Sequence, residues 1–494
     1  MSHPSDRPAV SSPVTRRRFL QTTAAASTVF PLFTISGTKA SGQVVGANEM
    51  LRVGVAGING RGSSHIDELA GRDKVRITYL IDPDTRLFES RSRKVREKGG
   101  GDPQCVQDIR RALDDRDLDV VTVATCNHWH SLITIWACQA GKDVYVEKPI
   151  SHNVFEGRQC VEAARKYGRV VQHGTQRRSD AGMARQIAAL QSGRYGKLLV
   201  SKGYCCKPRW SIGRKATSTP PDGFDFDLWL GPAPEQPYHG NLVHYNWHWF
   251  WDTGNGDTGN QGVHEMDVAR WAIRGATLPT RVWSLGGRFV PGEPDQGQTP
   301  NMQLSVYEFG DVLLVFETRG LVGDKARGNV PTMVANEFYT TEGVIRGGRF
   351  YPRGGSDSQP LEGGSEARVT PGGAFGSFLT AVRSRRPSDC NCDAEVAHYS
   401  SALCHLGNIA YRLGQPARFG EAPSVLGEQS AVRESFQALT DNLAAVGIDL
   451  NQQTYQLGSP LKFDPQTERF VDQPAANSLL TRAYRAPFVV PEKV

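Results

Sequence analysis

Residues 51–82 read LRVGVAGINGRGSSHIDELAGRDKVRITYLID. An apolar run, Val53–Ala56, enters a turn holding Gly57, Gly60 and Gly62; an amphipathic segment follows from Ser63 to Leu69, and a second apolar run ends at Asp82. Strand, glycine turn, helix, strand and acid, in that order, make a dinucleotide site. The turn brings the backbone close to a diphosphate, the helix N-terminus offers it unpaired N–H groups, and the acid accepts ribose hydroxyls. Asn59 stands where such turns normally carry their middle glycine; asparagine tolerates left-handed backbone, so the turn is expected to form. Asp82 favours NAD over NADP, but Arg86, four residues on, is placed to hold a 2′-phosphate, so both cofactors stay open.

Toward the N-terminus, Thr15-Arg16-Arg17-Arg18-Phe19-Leu20 precedes a weakly apolar run of small residues, Ala24–Ile35. The run is short for a bilayer span and reads as a secretory segment, and the paired arginines mark the twin-arginine export route, which carries folded proteins. Residues 1–40 are therefore expected to be a targeting segment, and the chain a periplasmic or otherwise exported protein. No later stretch reaches the apolar length of a membrane span, so no span is expected in the mature chain. The formal charge of +6 includes the arginines of that segment, and no basic block or aromatic-basic ladder suggests nucleic acid.

Beyond Asp82 the pattern continues as alternating helices and buried strands: a charged helix from Thr85 to Lys98, a short helix from Asp108 to Asp115, and an apolar strand from Leu118 to Ala124. Thr125-Cys126-Asn127-His128-Trp129-His130 then falls at the edge of the sheet where ligands bind, followed by a helix from Ser131 to Ala140. The strand Asp143–Val146 delivers Glu147-Lys148-Pro149 to the same edge, with Pro149 holding Lys148 extended, and Asn153 caps the next helix. A Rossmann domain over 50–173 results. The following residues, 174–430, are expected to form an α+β domain with a large, mostly antiparallel open sheet, from strands at Lys197–Cys205, Arg281–Phe289, Met302–Phe309, Val312–Arg319, Ala335–Thr340 and Gly343–Phe350. Residues 431–494 read as an extension packed on the body.

Lys148 at the sheet edge can contact a substrate hydroxyl and favour its alkoxide, burial and neighbouring charge easing proton transfer. In the segment Tyr245–Asp252 and the helix that starts near His264, the imidazole of His264 is the best general acid or base. Asp267 shares a helical face with His264 at i,i+3, and serves either as a hydroxyl ligand or orienting acid or as a plain salt-bridge partner. The tryptophan cluster 247–251 is either core or a stacking wall for a sugar ring, with Trp247 and His248 as its candidate substrate contacts. His128, His130, His244 and His248 lack a His-Glu-x-x-His helix, and the pairs Cys205-Cys206 and Cys390-x-Cys392 are too tightly spaced for a zinc knuckle, so no metal site is expected.

These residues resemble the glucose-fructose oxidoreductase, inositol dehydrogenase and rhizopine catabolism (Gfo/Idh/MocA) family. The resemblance rests on Gly57-Ile-Asn-Gly-Arg-Gly62, Thr125–His130, Gly141-Lys-Asp-Val-Tyr-Val-Glu-Lys-Pro149 and Gly259-Asn-Gln-Gly-Val-His-Glu-Met-Asp267. It implies that Gly57, Asn59, Gly60, Arg61, Gly62, Asp82, Thr125, Asn127, His130, Glu147 and Lys148 hold a nicotinamide dinucleotide. It further implies Lys148 as the active-site lysine, His264 as the catalytic histidine, a sugar or cyclic polyol as substrate, and a homo-oligomer. Asn260 falls where many members carry an aspartate four residues before the histidine, a departure from simple dehydrogenase chemistry. Export adds that the cofactor should be tightly bound, since little free nicotinamide is exchanged outside the cytoplasm. Tight binding suits either coupled oxidation and reduction of two sugars or a redox-neutral glycoside cleavage by transient ring oxidation, elimination, water addition and re-reduction, with His264 or Tyr245 as base. A sugar-binding protein without catalysis is the non-enzymatic alternative.

Overall fold

The computed structural model describes residues 50–326, 330–420 and 422–494. The expected targeting segment, with Arg16 and Arg17, lies outside them.

The strand β1 (Leu51–Ala56) is buried at every position but Arg52, as its apolar run demands. Around it lie β2 (Val75–Ile81), β3 (Gln104–Val106), β4 (Val120–Val123), β5 (Asp143–Val146) and β6 (Val171–His173), in the order β3-β2-β1-β4-β5-β6. All neighbouring pairs are parallel, and the strand order reverses between β1 and β4, which opens a crevice at their C-terminal ends. The helix Gly60–Leu69 begins right after the β1 turn. Asn59 sits at its start with φ −86°, an ordinary extended value; the left-handed positions are Gly57 (φ 76°) and Gly60 (φ 38°), so asparagine's tolerance of that region is not called upon.

Two local expectations change. The helix after β4 runs Asn127–Gln139, one turn earlier than Ser131, so His128 and His130 belong to its first turn instead of a loop. The chain bends over residues 148–150 at the sheet edge, where an extended run was expected, and Lys148–Pro149 is a cis peptide.

Among the described residues the second sheet has twelve strands. Its centre is β7 (Leu198–Cys206), β8 (Arg281–Gly287), β9 (Met302–Phe309), β10 (Val312–Arg319), β11 (Met333–Thr340) and β12 (Gly343–Arg346), paired as β12-β11-β7-β10-β9-β8. Only β7 and β10 pair in parallel among these. The single strand expected over 343–350 is a hairpin, β12 returning as β13 (Arg349–Pro352) through Gly347 and Gly348, both left-handed. One face of the sheet receives the helices Val263–Ala272 and Ala394–Arg412. Gly203 admits the first of them closely, since a Cβ there would stand 3.0 Å from Glu265 Cβ. Over β8–β10 the other face is covered by the helix Ser430–Ala445 through Val432, Phe436 and Leu439.

The two sheets are not packed from separate stretches of chain. The helix Gly373–Ser384 returns to the first sheet, where Phe375 stacks on Tyr145 at 4.1 Å between ring centroids, and Phe488 packs against Trp129 and Trp136 on the opposite face. Residues 174–430 are thus not wholly devoted to the second domain, and the final extension braces the first.

Candidate active site

A cavity of about 510 Å³ opens at the crevice between β1 and β4 and extends to the second domain. Gly57, Asn59, Gly60 and Arg61 line it from the turn, Asp82 from the end of β2, Thr125, Asn127 and His130 from the end of β4 and the helix after it, and Glu147 and Lys148 from the end of β5. From the second domain come Tyr245, Trp247, His248, Asn260 and His264. Residues far apart in sequence therefore converge because each follows a buried element ending at one edge.

The turn fits a dinucleotide. A Cβ on Gly57 would lie 2.7 Å from the Ala124 oxygen, whereas one on Gly60 would meet nothing within 4 Å and would stand in open space. Asn59 makes no side-chain cap, which leaves the first helical N–H groups for an anion. Gly62 does not line the cavity: a Cβ there would come within 1.6 Å of the Gly57 oxygen, so this glycine serves helix–turn packing and not cofactor contact. Asp82 accepts from Ile58 N at 2.9 Å and Asp84 N at 3.0 Å; burial lifts its carboxyl to about 6, those two bonds opposing the rise. Arg86 is forked onto Asp84 by Nε and Nη2, both at 2.7 Å, and takes no part in the cavity.

At the other end, Lys148 donates to the Asn260 main-chain oxygen, which a π-helical turn, Thr258–Gly262, aims at it. Burial lowers the proton affinity of Lys148, while Glu147, Asp257 and Glu265 oppose that fall. The Asn260 amide donates to Tyr245 Oη and to Asp257 Oδ1, each at 3.3 Å, and Asp257 is held by Arg209 Nε at 2.9 Å. A carboxylate three residues earlier in the chain thus backs the Asn260 amide, neutralised by a guanidinium. The His264 side chain makes no hydrogen bond among the described residues; burial, then the charge of Lys148, pushes its imidazole down to about 3, so it is neutral near pH 7.

Asp267 does not join this group. Its carboxylate is fully buried, gripped by Arg178 (Nε at 2.9 and 3.1 Å, Nη2 at 2.9 Å) and by Ser400 Oγ at 2.6 Å. The i,i+3 spacing is real, but most of the helix Val263–Ala272 is buried, so a shared face does not mean a shared cavity. His128 is likewise internal, bonded to the Thr253 and Trp229 carbonyls, and His130 bridges the Pro149 and Thr125 carbonyls while touching the cavity. Trp247 stacks on His248 at 3.5 Å, and Trp249 lies in the core under Arg209, so only part of the tryptophan cluster reaches the site.

Four contributors were not expected at the site. Gln176 and Trp229 line the cavity; His65 binds Glu147 from within the first helix; and His244 Nε2 reaches Asp84 at 3.0 Å beside Asp82.

A parallel sheet of Rossmann type and a mixed sheet facing its crevice, with a lysine and a histidine lining the cavity, define a two-domain α/β protein with a dinucleotide-type turn. Residues 51–175 match the family model described as the oxidoreductase family, NAD-binding Rossmann fold, and residues 194–283 match the family's C-terminal alpha/beta domain. Both are models of the Gfo/Idh/MocA oxidoreductase family. Inositol 2-dehydrogenase of Salmonella paratyphi B is 28% identical over 155 residues, 31% of this chain and 45% of that protein. A glycosyl hydrolase family 109 protein of Shewanella pealeana is 29% identical over 138 residues, 26% of this chain and 30% of that protein. The match thus spans under half the length of these curated relatives. Among solved structures, the WlbA dehydrogenase of Bordetella pertussis, in complex with NADH and UDP-GlcNAcA, shares the fold with a TM-score of 0.53 at 16% identity, over 72% of this chain and 94% of that one.

Proposed function

We propose that the chain is an NAD-dependent enzyme acting on a sugar, sugar derivative or cyclic polyol, with Lys148 and His264 meeting the hydroxyl that reacts. The carrying observation is that these two residues, one from each domain, share a single cavity with the Gly57–Arg61 turn and Asp82. A bound nicotinamide supplies a hydride acceptor. Lys148, held by the Asn260 oxygen, directs its remaining N–H groups at the substrate oxygen and favours the alkoxide. His264, neutral and without a protein partner, takes the hydroxyl proton. The Asn260 amide, Trp247 and His248 offer a polar and an aromatic wall for the rest of a polyhydroxylated ring. Asp267 acts beneath the site as a structural acid. With Arg86 occupied by Asp84, the arrangement supports NAD over NADP.

A second reading is cleavage of a glycosidic bond with no net redox change. It is favoured by a neutral Asn260 in place of an acid, by Tyr245 Oη beside its amide, and by the family 109 relative. Denaturing the purified protein and identifying the released nucleotide tests the common premise. Glycoside hydrolysis without net change in cofactor absorbance selects the second reading; a ketose or lactone formed as a second sugar is reduced selects the first. A protein that neither carries nor binds nicotinamide nucleotides is a binding module only. The Arg16-Arg17 motif supports export by the twin-arginine machinery with the cofactor aboard, testable by cell fractionation of the wild-type and Arg16→Lys/Arg17→Lys chains. A homo-oligomer is the assembly we expect, measurable by light scattering.

A further inference from the structure

Glu147 follows β5 and Arg61 follows the turn after β1, with β4 lying between those strands. The two side chains nevertheless meet, Arg61 Nε donating to Glu147 Oε1 at 2.8 Å, so the pair spans the end of β4, where Thr125 forms another wall of the same cavity. Its two halves differ in exposure. Glu147 is a fixed post: its side chain is 7% exposed, His65 Nε2 lies 3.1 Å from the same oxygen, and Gly174 backs it so closely that a Cβ there would stand 2.8 Å from Glu147 Cδ. Arg61 is the arm, with its side chain 43% exposed. Burial opposes ionisation of Glu147, but His65, Arg61 and Lys148 more than offset it and hold the carboxyl well below its ordinary range. The pair therefore stays charged at any physiological pH. The pair uses Nε, and the buried Tyr145 hydroxyl is the other group within reach of the guanidinium.

From this geometry we infer that Arg61 is a clasp for the cofactor: Glu147 holds the guanidinium in place, its terminal nitrogens bind the diphosphate lying on the Gly57–Gly60 turn, and release of the dinucleotide requires the Arg61–Glu147 pair to open. The inference rests on the cofactor reading given above. Because Glu147 fixes the position of the arm, little of its ordering is left to oppose binding, and entry of the dinucleotide crosses the same opening as its release. Arg61 is a binding residue here and Glu147 a positioning one.

The test is exchange of bound NAD for isotope-labelled NAD in the purified holoprotein, followed by nucleotide release. Arg61→Ala should speed release by about tenfold or more, Arg61→Lys should give an intermediate rate, and high salt should speed release from the wild type. Glu147→Gln should also speed release, and the Arg61→Ala/Glu147→Gln double variant should release no faster than Arg61→Ala alone, because both changes open one clasp. A wild-type rate in Arg61→Ala, or additive effects in the double variant, overturns the clasp and leaves the cofactor reading standing. A wild-type protein that neither carries nor exchanges NAD overturns both.

Discussion

Replacing Asp267 with asparagine separates a structural acid from a catalytic one. The change keeps the volume and removes the charge that Arg178 and Ser400 share, while Arg270 Nη2 lies 4.0 Å away. Arg178 cannot relax into water: its side chain is 10% exposed and its guanidinium lies 4.5 Å over the Trp271 ring. The variant therefore leaves two buried guanidinium groups short of their acid, a loss of about 3–5 kcal/mol by the usual cost of breaking a buried pair. The melting midpoint should fall by at least about 5 °C. Turnover measured well below that midpoint should stay within about threefold of the wild type, since no atom of Asp267 lines the cavity. Scanning calorimetry and steady-state kinetics on the same preparation give both numbers. A variant as stable as the wild type but devoid of turnover refutes the structural assignment and restores Asp267 to the chemistry.

Lys148→Ala should show the reverse pattern, losing about 10²–10⁴-fold in turnover while keeping its bound nucleotide and its melting midpoint. Gly62→Ala forces a Cβ to within 1.6 Å of the Gly57 oxygen, so the turn must shift; we expect about 1–3 kcal/mol lost and a lower cofactor content on purification. Arg86→Ala should leave the ratio of NAD to NADP affinity unchanged by calorimetric titration, because Asp84 already occupies that guanidinium. Stability should also fall as pH drops from 7 to 5. Burial pushes His128, His248, His264 and His405 down to about 3, so the unfolded chain takes up their protons first, and each costs about 2 kcal/mol over that interval. Asp82 and Glu265, raised by burial to about 6 and about 7, act in the opposite sense but are fewer; a urea midpoint that rises on acidification contradicts the histidine assignments.

The nucleotide-binding half was legible because its signals are local. Each strand is a short apolar run, each helix has its cap or its stopping glycine, and Gly57 and Asp82 mark the two ends of one βαβ unit. The start of the helix at Asn127 was missed because His128-Trp129-His130 breaks the apolar period and Ser131 resembles a cap; here burial between the domains, not periodicity, extends the helix. Lys148 and His264 were legible as chemical types in a motif, but their meeting depends on how a lysine after β5 faces a helix of the second domain. Asp267 failed for the same reason in reverse. Its partner Arg178 lies 89 residues away, and nothing in a helical wheel distinguishes the side facing a cavity from the side facing a buried guanidinium. The π turn at Asn260 adds one residue of rotation that a regular helical reading cannot anticipate.

The return of Gly373–Ser384 to the first sheet has a bearing on how the polypeptide is made. Synthesis finishes β6 at His173, yet Phe375 and Phe378, which cover one face of that sheet, emerge roughly 200 residues later, and Phe488 on the other face emerges near the very end. At about 5–20 residues per second the nascent first half waits some 10–40 s with Tyr145 and its neighbours bare. During that interval it presents an apolar surface that a chaperone can occupy, and a ribosome stalled before residue 373 should yield an aggregation-prone intermediate instead of a finished nucleotide-binding unit.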